Sequence, residues 1–165
     1  MLKQIFAIFL LFVAAFADNM WFANETRPLE MVSDKNLETT TGGPYTYSQS
    51  GHHFTGTGYD GSYIDTRGCC SGASGSCRDN PSCQCEVSVG PLPQGTYTLG
   101  NMFTFKGMPY CYELFPSSSN SMCGRSGFLI HGGGCSGNPS EGCIVIEDQN
   151  TRYKIKSGAT LKVVG

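Results

Sequence analysis

Long hydrophobic runs are nearly absent from this 165-residue sequence. The one sustained stretch, Ile5 to Phe16, is about a dozen residues, well short of the ~20 that a membrane-spanning helix needs. With Lys3 before it and Ala15-Phe16-Ala17 before Asp18, it reads as a cleavable secretory signal over residues 1–17, not as an anchor. The mature chain is then expected to be soluble and extracellular, without a membrane anchor, and long enough for one domain with its own core. Basic charge is also scarce. The 11 Lys and Arg against 13 Asp and Glu give a net charge of −2 and form no basic stripe, which excludes nucleic acid as a partner. No long segment carries a helical apolar period, no internal repeat is visible, and the 22 glycines follow no collagen-like period.

Cysteine, by contrast, is plentiful, with nine residues that all lie beyond the signal. Export favours pairing, but nine cannot all pair within one chain, so at least one remains as a free thiol or an intermolecular link. Cys69 and Cys70 are adjacent and are expected to go to different partners. The spacing of Cys69, Cys70, Cys77, Cys83 and Cys85 matches no standard zinc pattern, and disulfides are the expectation there. Asn24-Glu25-Thr26 is a glycosylation sequon for a eukaryotic secretory route; Asn80 and Asn138 are followed by proline and do not qualify.

Residues 18–43 are polar, end in ETTTGGP, and read as an extension or linker. From residue 44 to 165 short runs of Tyr, Phe, Val, Ile and Thr alternate with Gly, Ser, Asn and Pro turns, which predicts one all-β domain, a sandwich or barrel stapled by disulfides. Strands are expected at Glu86–Val89, Thr96–Leu99, Met102–Phe105, Tyr110–Phe115, Phe128–His131, Cys143–Ile146 and Thr160–Val164. Thr151–Lys156 alternates too, and reads as a further strand with Tyr153 and Ile155 on one side and Arg152 on the other.

Two of these segments carry chemistry. Phe128-Leu129-Ile130 runs into His131, followed by three glycines; twelve residues on, Ser140-Glu141-Gly142 leads into Cys143 at the start of another apolar run. If the two strands are neighbours, imidazole and thiol come within reach of each other, as an activated cysteine nucleophile requires. A bridge from Cys135 to Cys143 would cap that thiol; a loop of this length closes easily, so spacing alone does not exclude it. Pairing of Cys135 with another cysteine such as Cys123 is the preferred expectation. His52 and His53 lie in a Gly, Thr and Ser stretch and read as loop histidines, with a substrate-facing role as the other reading.

The ordered trio GPLPQGTY (90–97), RSGFLIHG (125–132) and SEGCI (140–144) resembles the YkuD-type L,D-transpeptidases, and within them the compact effectors delivered by bacterial type VI secretion. The resemblance runs from about Gly51 to Val164. It implies that Cys143 is the nucleophile and His131 its base, acting on peptidoglycan stem peptides before the terminal D-alanine through a thioester, with no cofactor and no metal. Water as acceptor gives an L,D-carboxypeptidase, and an amine gives a transpeptidase. It also implies that the carbonyl of Gly132 holds the imidazole and that Ser140 shapes the turn. The N–H groups of Gly142 and Cys143 would form the oxyanion hole, where glycine permits close approach of a substrate carbonyl. Arg125 is a candidate for a substrate carboxylate, with an ordinary structural arginine as the competing reading.

The sequence departs from the family pattern at Glu141, where many members have histidine, and at Val145, where many have arginine or asparagine. A signal peptide and dense cysteines are foreign to the bacterial effectors and point to an exported, antibacterial or bacteria-digesting version. The non-enzymatic alternative is an inactive secreted domain that binds peptidoglycan or is structural, with Cys143 buried or crosslinked. Papain-like enzymes place cysteine before histidine, the reverse of the order here.

Overall fold

A computed structural model describes residues 42–165; the expected signal peptide and nearly all of the polar extension lie outside the described residues. The architecture is mostly β, a single sheet curled into a half-barrel. Its strands are β1 (Tyr45–Ser48), β2 (His53–Thr57), β3 (Tyr63–Arg67), β4 (Cys70–Ser71), β5 (Gly95–Phe105), β6 (Met108–Pro116), β7 (Leu129–His131), β8 (Ile144–Val145) and β9 (Thr160–Val164), with a short helix α1 (Gln149–Lys154) before β9. They lie in the order β3-β2-β1-β9-β5-β6-β7-β8-β4. The β1–β9 and β7–β8 pairs are parallel, and the other pairs are antiparallel.

Period-two alternation decides which face is buried. Leu161 and Val163 of β9 are buried while Thr160 and Lys162 are exposed, and the register sets Leu161 beside Tyr45 and Tyr97. The core is unusually rich in tyrosine, each phenol needing a partner once out of water. Tyr47 donates to Asp79 Oδ1 (2.7 Å), Tyr97 to the Pro93 carbonyl (2.6 Å), and Tyr112 to the Arg152 and Ile155 carbonyls (both 2.9 Å), while Tyr45 Oη accepts from the Lys156 N–H (3.0 Å). Each of these rings contributes about 1.5–3 kcal/mol by burial.

Three expectations need correction. Glu86–Val89 is a turn, not a strand: Glu86 N–H donates to the Cys83 carbonyl and Gly90 N–H to that of Glu86, and Val87 is 72% exposed. The Pro81–Cys83 3₁₀ turn and the crosslinks at Cys83 and Cys85 hold the chain in that shape. The segment read as a strand at Thr151–Lys156 is largely helix α1. Asp148 caps it by accepting from the N–H groups of Asn150 and Thr151, which stabilises a helix start by about 1 kcal/mol. Arg152 and Ile155 are buried while Tyr153 is 46% exposed, so Tyr153 and Ile155 do not share a side as the alternation predicts. The two strands expected at Thr96–Leu99 and Met102–Phe105 are one long strand, β5, whose register shifts between Leu99 and Met102; a bulge replaces the expected turn.

Three disulfides staple the sheet: Cys70–Cys135, Cys77–Cys83 and Cys85–Cys123. Cys135 is therefore joined to edge strand β4, and Cys123 to the turn after the 3₁₀ segment, instead of to each other. Cys69, Cys111 and Cys143 are uncrosslinked. Burial pushes the Cys69 thiol up to about 12, so it is a packed, unreactive side chain despite its disulfide-bonded neighbour.

Candidate active site

The parallel pair β7–β8 builds the site. Ile130 lies opposite Ile144, and His131 opposite Val145, so the register carried back one residue sets Cys143 beside Leu129. The Leu129 N–H donates to Cys143 Sγ at 3.3 Å, in keeping with that placement. Ile130 and Ile144 face the core. By alternation His131 and Cys143 share the other face, one strand apart and two residues offset, with their Cα atoms roughly 8 Å apart. Among the described residues no hydrogen bond joins Nε2 and Sγ. Catalytic hydrogen bonds are often loose without substrate and tighten when it binds.

His131 is buried, 8% exposed, and its Nδ1 lies 2.6 Å from the carbonyl oxygen of Gly132. A carbonyl only accepts, so Nδ1 carries the proton and Nε2 is left as the basic nitrogen. Burial lowers the His131 pKa below the ordinary histidine value; the Gly132 bond opposes this, and the positive charges of Arg152 and Lys106 add to it. For Cys143, burial raises the thiol pKa above the ordinary value, the Leu129 N–H works against this, and Cys111 and Glu141 raise it further while Arg125 lowers it. Both shifts favour the uncharged forms. These directions favour thiol and imidazole over a thiolate–imidazolium pair at neutral pH.

The Ser140–Cys143 turn is tied on both sides. Ser140 Oγ donates to the Cys143 carbonyl (2.8 Å) and accepts from the N–H groups of Gly142 (3.3 Å) and Gly72 (3.2 Å). Ser71 Oγ donates to the Gly142 carbonyl (2.9 Å). The Gly142 N–H is thus occupied by Ser140, and of the two expected oxyanion donors only the Cys143 N–H lacks such a bond. Packing also requires glycine at position 142. Its φ is +126°, and a Cβ there would strike Arg125 Nη2 and come within 2.6 Å of Phe128 Cε1.

Arg125 is also spent on the scaffold. It stacks on Phe128 at 5.0 Å, and its terminal nitrogens donate to the carbonyls of Gln84 (2.5 Å), Pro91 (2.6 Å), Gly90 (2.9 Å) and Glu141 (2.8 Å). Those four bonds use all four terminal N–H groups, so the side chain builds the turn before the thiol and leaves no fork for a substrate carboxylate. Beside that turn a cavity of about 250 Å³ is lined by Val87, Ser88, Ser126, Phe128 and Glu141, among others. It is large enough for an amino-acid side chain.

The other two histidines are elsewhere. His52 Nδ1 lies 3.0 Å from Asp79 Oδ2, and His53 Nε2 lies 2.5 Å from Asp65 Oδ1, both on the β2 side of the sheet. Ser71 and Arg152 support the site yet escaped the sequence reading. Ser71 is hidden in a run of cysteines and serines, and Arg152 lies in a segment whose alternation reads as a strand. The pairing of Asp148 with Thr151 three residues on was the available sign of a helix start. Among the described residues no group of three or more His, Cys, Asp or Glu side chains could hold a metal.

Fold and site together define a disulfide-stapled β domain with an uncrosslinked thiol and an oriented imidazole on neighbouring parallel strands. The family model of the Tlde1 domain matches residues 67–164, and the chain belongs to that family. Membership points to an effector domain with peptidoglycan-related activity. The match takes in β4 to β9 and α1, and leaves β1, β2 and nearly all of β3 outside. No curated protein matches the chain.

Proposed function

We propose that the protein is an exported cysteine L,D-transpeptidase or L,D-carboxypeptidase that acts on peptidoglycan stem peptides. The observation that carries this reading is the pairing of His131, its Nδ1 fixed by Gly132, with the uncrosslinked Cys143 on the same face of β7–β8. Substrate binding brings the scissile carbonyl to Sγ. Nε2 of His131 takes the thiol proton as sulfur attacks, and the Cys143 N–H stabilises the developing oxyanion. Collapse expels the terminal D-alanine, whose amine receives the proton from Nε2, and leaves a thioester on Cys143. Water or an acceptor amine, deprotonated by the same nitrogen, then releases the acyl group.

Export rests on the n-region and apolar run at residues 1–17, and the three disulfides fit an oxidising destination. Attack on bacterial walls, not wall synthesis, is the role this implies. The non-enzymatic reading requires a crosslinked or inaccessible thiol; Cys143 is uncrosslinked and partly exposed. The test is incubation of the oxidised protein with tetrapeptide muropeptides. Free D-alanine should appear with the wild type and not with Cys143→Ala. Binding to insoluble peptidoglycan with no release by the wild type would replace the enzyme with a binding module.

A further inference from the structure

The clearest unexplained side chain near the site is Arg152. It is 3% exposed, and among the described residues both hydrogen bonds of its guanidinium leave from Nη1, to the carbonyls of Ile146 (2.5 Å) and Glu147 (2.9 Å) at the end of β8. Nε is buried without a partner. Nη2 is pressed against Gly132 so closely that a Cβ on that glycine would stand 2.7 Å from it. A buried cation with an N–H left unmade is costly, and a lysine could donate to the same carbonyls at the end of β8 without that cost to Nε. What the guanidinium adds is a rigid plate beneath the one peptide whose carbonyl receives the proton of His131 Nδ1.

We propose that Arg152 is a positioning residue for the base: wedged under Gly132 and clamped to Ile146 and Glu147, it fixes the peptide that holds the His131 ring and its Nδ1–H tautomer. The inference rests on reading His131 as the base of Cys143. It adds a second effect of the same side chain. The groups that face His131 are Arg152 from α1, Lys106 from the β5–β6 turn, Cys111 on β6, and Cys143 before β8; Cys111 is placed opposite His131 by the register that pairs Tyr112 with Ile130. The two cations disfavour imidazolium. Arg152 therefore keeps Nε2 free to accept a proton at neutral pH as well as oriented to do so.

The test is nitrogen-15 NMR of the His131 ring in the oxidised full-length protein, followed through a pH titration, for wild type, Arg152→Met and Arg152→Lys. Wild type should show the Nδ1–H tautomer and titrate below an ordinary histidine. Arg152→Met should raise the midpoint and mix the tautomers. Arg152→Lys, which keeps the charge and loses the flat plate, should hold the midpoint near wild type while mixing the tautomers. D-Alanine release, where present, should fall about tenfold to hundredfold in both variants. A folded Arg152→Met protein with unchanged midpoint and tautomer overturns the proposal. If that variant does not fold, an unchanged tautomer in Arg152→Lys overturns it equally. Because the NMR signal needs no turnover, a protein that releases no D-alanine but shows these shifts refutes the enzyme and leaves the positioning role intact.

Discussion

The β7–β8 end and the β2 end of the sheet each present a histidine held through Nδ1, and they put it to opposite uses. At β2, His52 meets the buried carboxylate of Asp79, which also accepts from Tyr47 and from the Ser71 N–H; the imidazole side chain is 55% exposed, and the neighbouring Cys69, whose N–H donates to the His52 carbonyl (3.2 Å), is buried with its thiol pushed up to about 12. At β7, His131 meets only a backbone carbonyl, is 8% exposed, and shares a face with a thiol. At β2 the imidazole satisfies a buried acid that ties β1 to β4, whereas at β7 a backbone carbonyl orients the imidazole.

That contrast can be broken by substitution. Cys143→Ala should abolish D-alanine release, and His131→Ala should cut it by about 10²–10⁴-fold, the usual share of a general base. His52→Ala should leave turnover within about twofold, because its loss falls on stability; one hydrogen bond to a carboxylate is worth about 1.5–3 kcal/mol. Comparable losses of rate at both histidines would erase the distinction. The pH profile sharpens it. Catalysis needs neutral His131, whose pKa is lowered, so activity should persist somewhat below pH 6.5 and fall only as pH drops through the depressed value. Alkylation of Cys143, whose pKa is raised, should be slower at pH 7 than that of an ordinary thiol and should climb steeply only in alkaline solution.

Smaller effects belong to the supports. Ser140→Ala removes the bond to the Cys143 carbonyl and the acceptor for Gly142 and Gly72, and should lower the rate about tenfold by loosening the turn, with thermal melting lowered modestly. Among the staples, loss of Cys70–Cys135, which closes 65 residues, should destabilise by about 3–4 kcal/mol, and more than loss of Cys77–Cys83, which closes 6. Melting of the paired serine variants checks this ranking.

The two ends were unequally legible in the sequence. The strands that carry the site announce themselves, because Phe128-Leu129-Ile130 and Ile144-Val145-Ile146 are apolar runs bounded by glycine-rich turns. The β class followed from the same alternation. Disulfide partners are set by where the sheet brings distant strands together, and no spacing rule contains that, so Cys135 could not be matched to Cys70. Arg125 was legible as a structural arginine without its partners, because the four carbonyls around that guanidinium come from three separate segments. The Thr151–Lys156 segment shows an alternating pattern that a capping aspartate and burial of Arg152 override.

The role of Cys143 as nucleophile is tested most directly by mass spectrometry of the oxidised protein quenched in acid after brief exposure to a tetrapeptide muropeptide. A labile acyl adduct on the peptide bearing Cys143, with D-alanine released and no adduct in Cys143→Ala, is the expected result. D-Alanine release without any adduct at Cys143, or an adduct on Cys111 or Cys69 instead, would contradict it.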